Sequence, residues 1–143
     1  MTQSTDPIKV LLVDDEKSFT KLVKLALEDS GEFEIFIEND PLKAVEAVHA
    51  MKPDVIVLDI LMPGKSGLDV GVEIAADPGI CKIPLMFMSA AVSKDDPSSW
   101  RTGVDGLTIK IDNDAFADST VLVKPVKAGD LMQAIRELNL RAG

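Results

Sequence analysis

Ile8-Lys-Val-Leu-Leu-Val13 is a β-branched apolar run without strict alternation, which predicts a short strand buried on both faces. The run ends on Asp14-Asp15. From Glu16 the apolar positions take helical spacing at Phe19, Leu22, Val23 and Ala26, with Asp15 placed to cap the start and Gly31 to end the helix. Phe33-Glu-Ile-Phe-Ile37 predicts a second strand. Asp40-Pro41 then supplies an N-cap and an N1 proline to a helix whose stripe is Leu42, Val45, Val48 and Met51. Asp54-Val-Ile-Val-Leu-Asp59 is a third apolar strand finishing on a carboxylate. The turn-rich Met62-Pro-Gly-Lys-Ser-Gly67 follows it, leading to a helix from Leu68 to Ala76 that closes at Asp77-Pro-Gly79. Ile83-Pro-Leu-Met-Phe-Met88 predicts the fourth strand and delivers Ser89 at its carboxyl end, with Met86 and Met88 reading as core packing. Val121-Leu-Val-Lys124 is the last strand, before a helix from Ala128 to about Leu140 with Leu131, Ala134, Ile135 and Leu138 on one face.

Strands alternating with helices predict parallel crossovers and a sheet covered on both sides, an α/β fold. In such sheets ligand chemistry gathers at the carboxyl ends of the strands. Asp14, Asp15, Asp59, Ser89 and Lys124 all fall at such ends. Taken singly, Asp15 reads as a helix cap and Asp14 as a loop residue; it is their joint placement with Asp59 that suggests a site.

One stretch departs from the alternation. Lys124 follows Ser89 by 35 positions, whereas one helix of about 11 residues with two loops of about 2 to 6 needs roughly 15 to 23. An inserted segment is therefore expected at about residues 94–119, beside a stunted fourth helix. Asp96-Pro-Ser-Ser-Trp-Arg-Thr-Gly103 reads as a short helix with its own cap and proline, and Trp100 as the side chain that pins it. Leu107-Thr-Ile-Lys-Ile-Asp112 alternates like an extra strand, open to a hairpin with Val121 to Val123. Asp112-Asn-Asp114 opens like a calcium loop, but Phe116 and Ala117 stand where an oxygen ligand and a glycine are needed.

The 143 residues suit one domain, expected over 8–141 behind a flexible start at 1–7. With 46% hydrophobic and 27% charged residues, the chain can bury an ordinary core. No apolar run is long enough to span a bilayer and Met1 to Pro7 has no signal-peptide pattern, so a soluble cytoplasmic protein is expected. Cys81 and His49, each the sole residue of its type, make neither a disulfide nor a soft-metal site. His49 reads as a surface residue and not as a phosphodonor. The net charge of -9 argues against nucleic acid and anionic membranes as partners.

The motifs Leu12-Val-Asp-Asp-Glu16, Val57-Leu-Asp-Ile-Leu-Met-Pro63, Met88-Ser-Ala90 and Leu122-Val-Lys-Pro125 together resemble the receiver domains of response regulators in two-component signal transduction. The resemblance runs from about Ile8 to about Leu140 and is broken between Ser93 and Ser119. It implies a flavodoxin-like, doubly wound five-stranded parallel sheet of order 2-1-3-4-5, with the insertion between strands 4 and 5. It further implies a phosphoacceptor, Asp59, charged by a sensor histidine kinase or a histidine phosphotransfer protein. Asp15 and Asp59 would bind Mg²⁺ directly, Asp14 through water, and the Leu61 carbonyl would complete the protein ligands. This suits the chemistry, because crowded carboxylates need a cation at neutral pH and hard oxygen ligands select Mg²⁺. Ser89, Ala90 and Lys124 would hold the phosphoryl group, with Asp59, Lys124 and Ser89 as the catalytic set.

Some positions depart from the family. The aromatic residue often found three before the lysine is Val121 here, which puts the usual rotamer switch in doubt. The two positions that tune loss of phosphate are Leu61 and Ala91, neither able to orient water, so slow self-dephosphorylation is expected. Lys110 offers a competing alignment for the lysine, but Lys124 precedes Pro125 and the final helix, and the Lys-Pro peptide is expected to be cis. The leading reading is a binding module, not an enzyme, acting on a downstream protein near its fourth helix and fifth strand. A homodimer through the altered face stays open. A haloacid-dehalogenase-like phosphatase would need a carboxylate at Leu61, and a signalling-dead adaptor has no reason to keep all five site residues.

Overall fold

In a computed structural model, residues 6–89, 100–102, 108–111, 120–124 and 126–142 are described. The strands are β1 (Ile8–Val13), β2 (Phe33–Glu38), β3 (Val55–Asp59), β4 (Leu85–Ser89), β5 (Trp100–Thr102), β6 (Thr108–Ile111) and β7 (Thr120–Val123). The helices are α1 (Lys17–Glu28), α2 (Ala44–Met51), α3 (Gly67–Ala75) and α4 (Ala128–Ala142), and a 3-10 turn at Pro41–Lys43 leads into α2.

The sheet runs β2-β1-β3-β4-β7-β6-β5. Its first five strands are mutually parallel and have the expected 2-1-3-4-5 order. The sheet is wider than expected, because β6 pairs antiparallel with β7 and β5 antiparallel with β6. The pairing left open between the Leu107–Asp112 segment and Val121–Val123 is present as an antiparallel ladder over Thr108–Lys110, with Ile109 opposite Val121. The short helix expected over Asp96 to Gly103 is not what Trp100–Thr102 form: these three residues pair with Ile109–Ile111 as a strand. Pairing to the alternating Thr108-Ile-Lys-Ile111 segment outweighs the local cap and proline signal, as aromatic and β-branched residues suit a sheet. Residues 96–99 and 103, and the stunted fourth helix, lie outside the described residues.

Side-chain alternation in the strands builds two core layers. Leu11, Val13, Ile56, Leu58, Phe87 and Val121 pack with Ala44 and Val48 of α2 and Val70 and Ile74 of α3. Val10, Leu12, Val55, Val57, Met86, Met88 and Leu122 pack on the other face with Leu27 of α1 and Leu131 and Ile135 of α4. Both faces of every central strand are therefore apolar, which accounts for the unbroken hydrophobic runs in the sequence.

Two details of the helices differ from the expected pattern. Glu16, not Asp15, occupies the N-cap position of α1, and the Glu16 N–H donates to Asp14 Oδ1 at 2.9 Å. In the second helical segment Asp40 caps as expected, accepting from the Leu42 N–H, yet Leu42 is 69% exposed. The first turn is 3-10, with about three residues per turn, so the α-helical phase starts only at Ala44 and the buried stripe becomes Ala44 and Val48. In α1, likewise, Thr20 and Leu27 face inward while Leu22 turns to solvent. Arg136 of α4 clamps Glu32 ahead of β2 through two hydrogen bonds of 2.6 and 2.7 Å, holding the Glu32 carboxyl below its usual pKa. Among the described residues no helix is long and apolar enough to cross a membrane.

Candidate functional site

Because β1, β3, β4 and β7 are parallel, their carboxyl ends share one edge of the sheet, and the polar residues that terminate them converge there. Backbone ties fix each end: Asp14 N–H donates to Glu38 O, Ile60 N–H to Met88 O, and Lys124 N–H to Ser89 O at 2.7 Å. Asp14 and Ser89 are wholly buried, Asp59 is 3% exposed, and Asp15 is open to solvent. Asp14, Asp15 and Asp59 each offer a carboxylate oxygen, and these oxygens lie within 4.8 Å of one another. With Glu16, Leu61 and Lys124 they line a cavity of about 380 Å³.

The Lys124 ammonium reaches into this cluster. Its Nζ donates to Asp14 Oδ2 at 2.6 Å and lies 3.6 Å from Asp59 Oδ1 and 4.0 Å from Glu16 Oε1. Burial opposes the charged ammonium, but the Asp14 hydrogen bond and the negative charges of Asp59, Asp14 and Glu16 outweigh it and raise the Lys124 pKa. Asp59 is pushed up to about 7, first by burial and then by the charge of Asp14, with Asp15 adding to the effect and Lys124 opposing it. One lysine does not neutralise three carboxylates. Asp59 Oδ1 and Ser89 Oγ are buried without a hydrogen-bond partner among the described residues. An unsatisfied buried oxygen is costly unless a ligand completes it. The carboxylate donor set, the orphan oxygen and the surplus negative charge fit a hard divalent cation.

The residues expected from the sequence fall as follows. Asp14, Asp15, Asp59 and Lys124 come together, Leu61 lines the cavity, and Ser89 lies at the end of β4 beside Lys124 in the sheet. Ala90, Ala91 and Pro125 lie outside the described residues, so the expected phosphate contact at Ala90 and the cis Lys-Pro peptide are not seen. Lys110 sits on β6, separated from β4 by β7, and its side chain lies outside the described residues.

Three supporting residues escaped the sequence reading. Asn39 Nδ2 donates to Asp14 O at 2.8 Å and to Thr20 Oγ1 at 3.1 Å, bracing the loop between β1 and α1. Phe19 lies beneath the Lys124 ammonium, 4.3 Å from ring centroid to Nζ. Gly67, read only as a turn residue, opens α3 directly against the end of β3. A Cβ there would stand 2.1 Å from the Asp59 carbonyl oxygen, and the Gly67 N–H donates to Ile60 O at 3.0 Å. The only available signal was Ser66, whose Oγ accepts the Asp69 N–H and marks the helix start at the next residue.

The family model "Response regulator receiver domain" matches residues 10–136. The transcriptional regulatory protein TrcR of Mycobacterium tuberculosis is 32% identical over 136 residues, covering 95% of this chain and 47% of TrcR. The probable transcriptional regulatory protein TcrX of the same organism is 32% identical over 138 residues, covering 96% of this chain and 52% of TcrX. The chain spans about half the length of the curated relatives it matches. Among solved structures, the signal receiver domain of a putative Luxo repressor protein from Vibrio parahaemolyticus superposes with a TM-score of 0.72 at 27% identity, covering 95% of this chain and 92% of that one. The chemotaxis protein CheY4 of Vibrio cholerae shares the fold, with a TM-score of 0.72 at 23% identity over 92% of this chain and 98% of that one. The shared order of the parallel strands, the acidic cluster at their carboxyl ends and the matched family model agree: this chain belongs to the response regulator receiver domain family.

Proposed function

We propose that the chain is a phosphorylation-controlled signalling module of a two-component phosphorelay. In it Asp59 accepts a phosphoryl group from a sensor histidine kinase or histidine phosphotransfer protein. The observation that carries this reading is Asp59 Oδ1 itself, buried without a hydrogen-bond partner among the described residues, between two other carboxylates and the Lys124 ammonium 3.6 Å away. Asp15 and Asp59 are suited to hold Mg²⁺ directly, with Asp14 behind water and the Leu61 carbonyl as a further oxygen; when bound, the ion neutralises charge on the transferring group.

The chain's own residues do the rest. The Asp59 carboxylate oxygen attacks phosphorus, the bond between phosphorus and the donor imidazole nitrogen breaks, and an acyl phosphate forms on Asp59. Lys124 donates to one phosphoryl oxygen and Ser89 Oγ to another, with Ala90 adjoining. Both donors come from neighbouring strand ends whose backbones are tied by the Lys124 N–H to Ser89 O bond, which sets the anchor points of the two side chains. The new charge draws Lys124 and Ser89 toward Asp59 and repacks the carboxyl end of β4. Val121 is wholly buried and carries no ring, so this repacking proceeds without an aromatic rotamer change at that position. The output is a protein surface, since a net charge of -9 opposes contact with nucleic acid.

Titration with beryllofluoride in Mg²⁺ tests the reading, monitored by Trp100 fluorescence. A saturable change is expected in the wild type and in Lys110→Ala, and none in Lys124→Ala, which should still bind Mg²⁺. Turnover of phosphate esters in place of saturable binding would overturn it in favour of a phosphatase, and indifference in favour of an inert adaptor. Leu61 is 57% exposed and has no polar group to orient water, so the phosphorylated form is expected to persist well beyond a minute in Mg²⁺ buffer. Loss of label within seconds would contradict this.

A further inference from the structure

Lys124 is held in place by charged partners and by one neutral partner. Its Nζ meets Asp14 at 2.6 Å, Asp59 at 3.6 Å and Glu16 at 4.0 Å, and lies 4.3 Å from the centroid of the Phe19 ring. Two of the three carboxylates belong to the acidic cluster that would hold the divalent cation. Once a dication neutralises that cluster, its pull on the ammonium falls, and a four-carbon stem with free rotors is then able to swing out. An apolar cavity of about 550 Å³ lies directly alongside, between α1 and α4, lined by Phe19, Leu22, Val23, Val126 and Leu131 together with the Lys124 side chain itself. The Phe19 ring differs from the carboxylates in a way that matters here. It attracts a cation through its quadrupole, it is not a metal ligand, and it has no negative charge to compete with a phosphoryl group for the ammonium.

We infer that Phe19 is a positioning residue for phosphoryl binding: its ring retains the Lys124 ammonium over the acidic cluster when the cluster's own charge has been neutralised. The inference rests on the reading of Lys124 as a phosphoryl ligand. Phe19 is fixed for this role by its place in the first turn of α1, where it is half-buried and packs with the layer around Leu27 and Leu131. That first turn is braced to the site through Thr20, whose Oγ1 accepts from Asn39, itself bonded to Asp14 O.

The test compares Phe19→Leu, which keeps apolar bulk without a π-face, with Phe19→Trp, whose ring binds cations more strongly, in the wild-type and Lys124→Ala backgrounds. Affinity for Mg²⁺ alone is measured on every full chain, and affinity for beryllofluoride at saturating Mg²⁺ on those that keep Lys124. Phe19→Leu is expected to weaken beryllofluoride binding about 3- to 10-fold and leave Mg²⁺ affinity within about 2-fold, while Phe19→Trp matches or exceeds the wild type. In the Lys124→Ala background Phe19→Leu should change neither Mg²⁺ affinity nor the rate of labelling by acetyl phosphate, since the ring then has no ammonium to hold. A purely structural role would lower Mg²⁺ and beryllofluoride binding together, fail to be rescued by Trp, or persist without Lys124, and each of those results overturns the inference. Should Phe19→Leu fold poorly, Phe19→Trp weakening beryllofluoride binding would overturn it on its own. A wild type that ignores beryllofluoride would defeat the phosphoacceptor reading and this inference with it; a responsive wild type with an unaffected Phe19→Leu variant defeats only the inference.

Discussion

Replacing Asp59 with asparagine is expected to abolish phosphoryl uptake and, in the absence of metal, to make the protein more stable. Loss of uptake follows because the amide cannot act as the attacking oxygen; acetyl phosphate with Mg²⁺ should add a phosphoryl mass to the wild type and none to the variant. The gain in stability follows from the cost of the buried charge. The Asp59 carboxyl is raised from 3.8 to about 7 in the folded chain, so between those values the unfolded chain has given up its proton while the folded chain keeps it. A raised carboxyl pKa therefore costs stability as pH climbs above about 4, and the full cost is present above about 7. At about 1.4 kcal/mol per unit the penalty is on the order of 2–4 kcal/mol, the lower end applying because the amide also takes a charge partner from Lys124. Thermal unfolding in EDTA should show no difference near pH 4 and a variant more stable by roughly 5–10 °C at pH 8. Saturating Mg²⁺ should shrink or reverse the gap, since an ion that binds only the folded wild type stabilises it. A variant less stable than the wild type in EDTA at pH 8 would show that crowded carboxylates do not strain this site.

Gly67→Ala should be the most damaging small substitution near the site. Its Cβ would lie 2.1 Å from the Asp59 carbonyl oxygen, 2.8 Å from the carbonyl carbon and 3.1 Å from Ile60 Cα. All three are backbone atoms, so no side chain can swing away, and either α3 must retreat or the end of β3 must bend. Overpacking costs about 1–3 kcal/mol where side chains adjust, and a backbone clash should cost about 3 kcal/mol or more. The displaced strand end carries Asp59, so Mg²⁺ affinity should fall at least about tenfold even in the folded fraction, an effect of ~1.4 kcal/mol. Gly129→Ala is the control. Nothing lies within 4 Å of the Cβ position there, in the first turn of α4, and alanine should be neutral or stabilise by up to about 1 kcal/mol. Urea denaturation and Mg²⁺ titration of the two variants separate a local clash from a general intolerance of added methyl groups.

Much of this architecture could be read along the chain because its signals are local. The apolar runs Val10–Val13 of β1, Val55–Leu58 of β3 and Leu85–Met88 of β4 are covered on both faces by the two core layers, and each is followed directly by a polar residue that the site uses. Where reading failed, a nonlocal term had won. The segment around Trp100 has a helix signal in its own sequence, yet Trp100–Thr102 pair with β6, a partner the local signal does not contain. Leu42 fits a helical stripe, yet the 3-10 turn before Ala44 shifts the phase and leaves it exposed.

Hydrophobic period, residue type and chain direction were enough to specify a parallel sheet with carboxylates at its strand ends and an excess of negative charge, whereas the strand order 2-1-3-4-5 came from the resemblance to receiver domains. Packing in three dimensions decided that Lys124 rests on Phe19 and Asp14, that Asp59 Oδ1 is left without a hydrogen-bond partner among the described residues, and that Gly67 must lack a side chain. The Lys124 contacts join residues about a hundred positions apart, and the Gly67 constraint comes from how closely α3 settles on the end of β3, so neither is written in any local pattern.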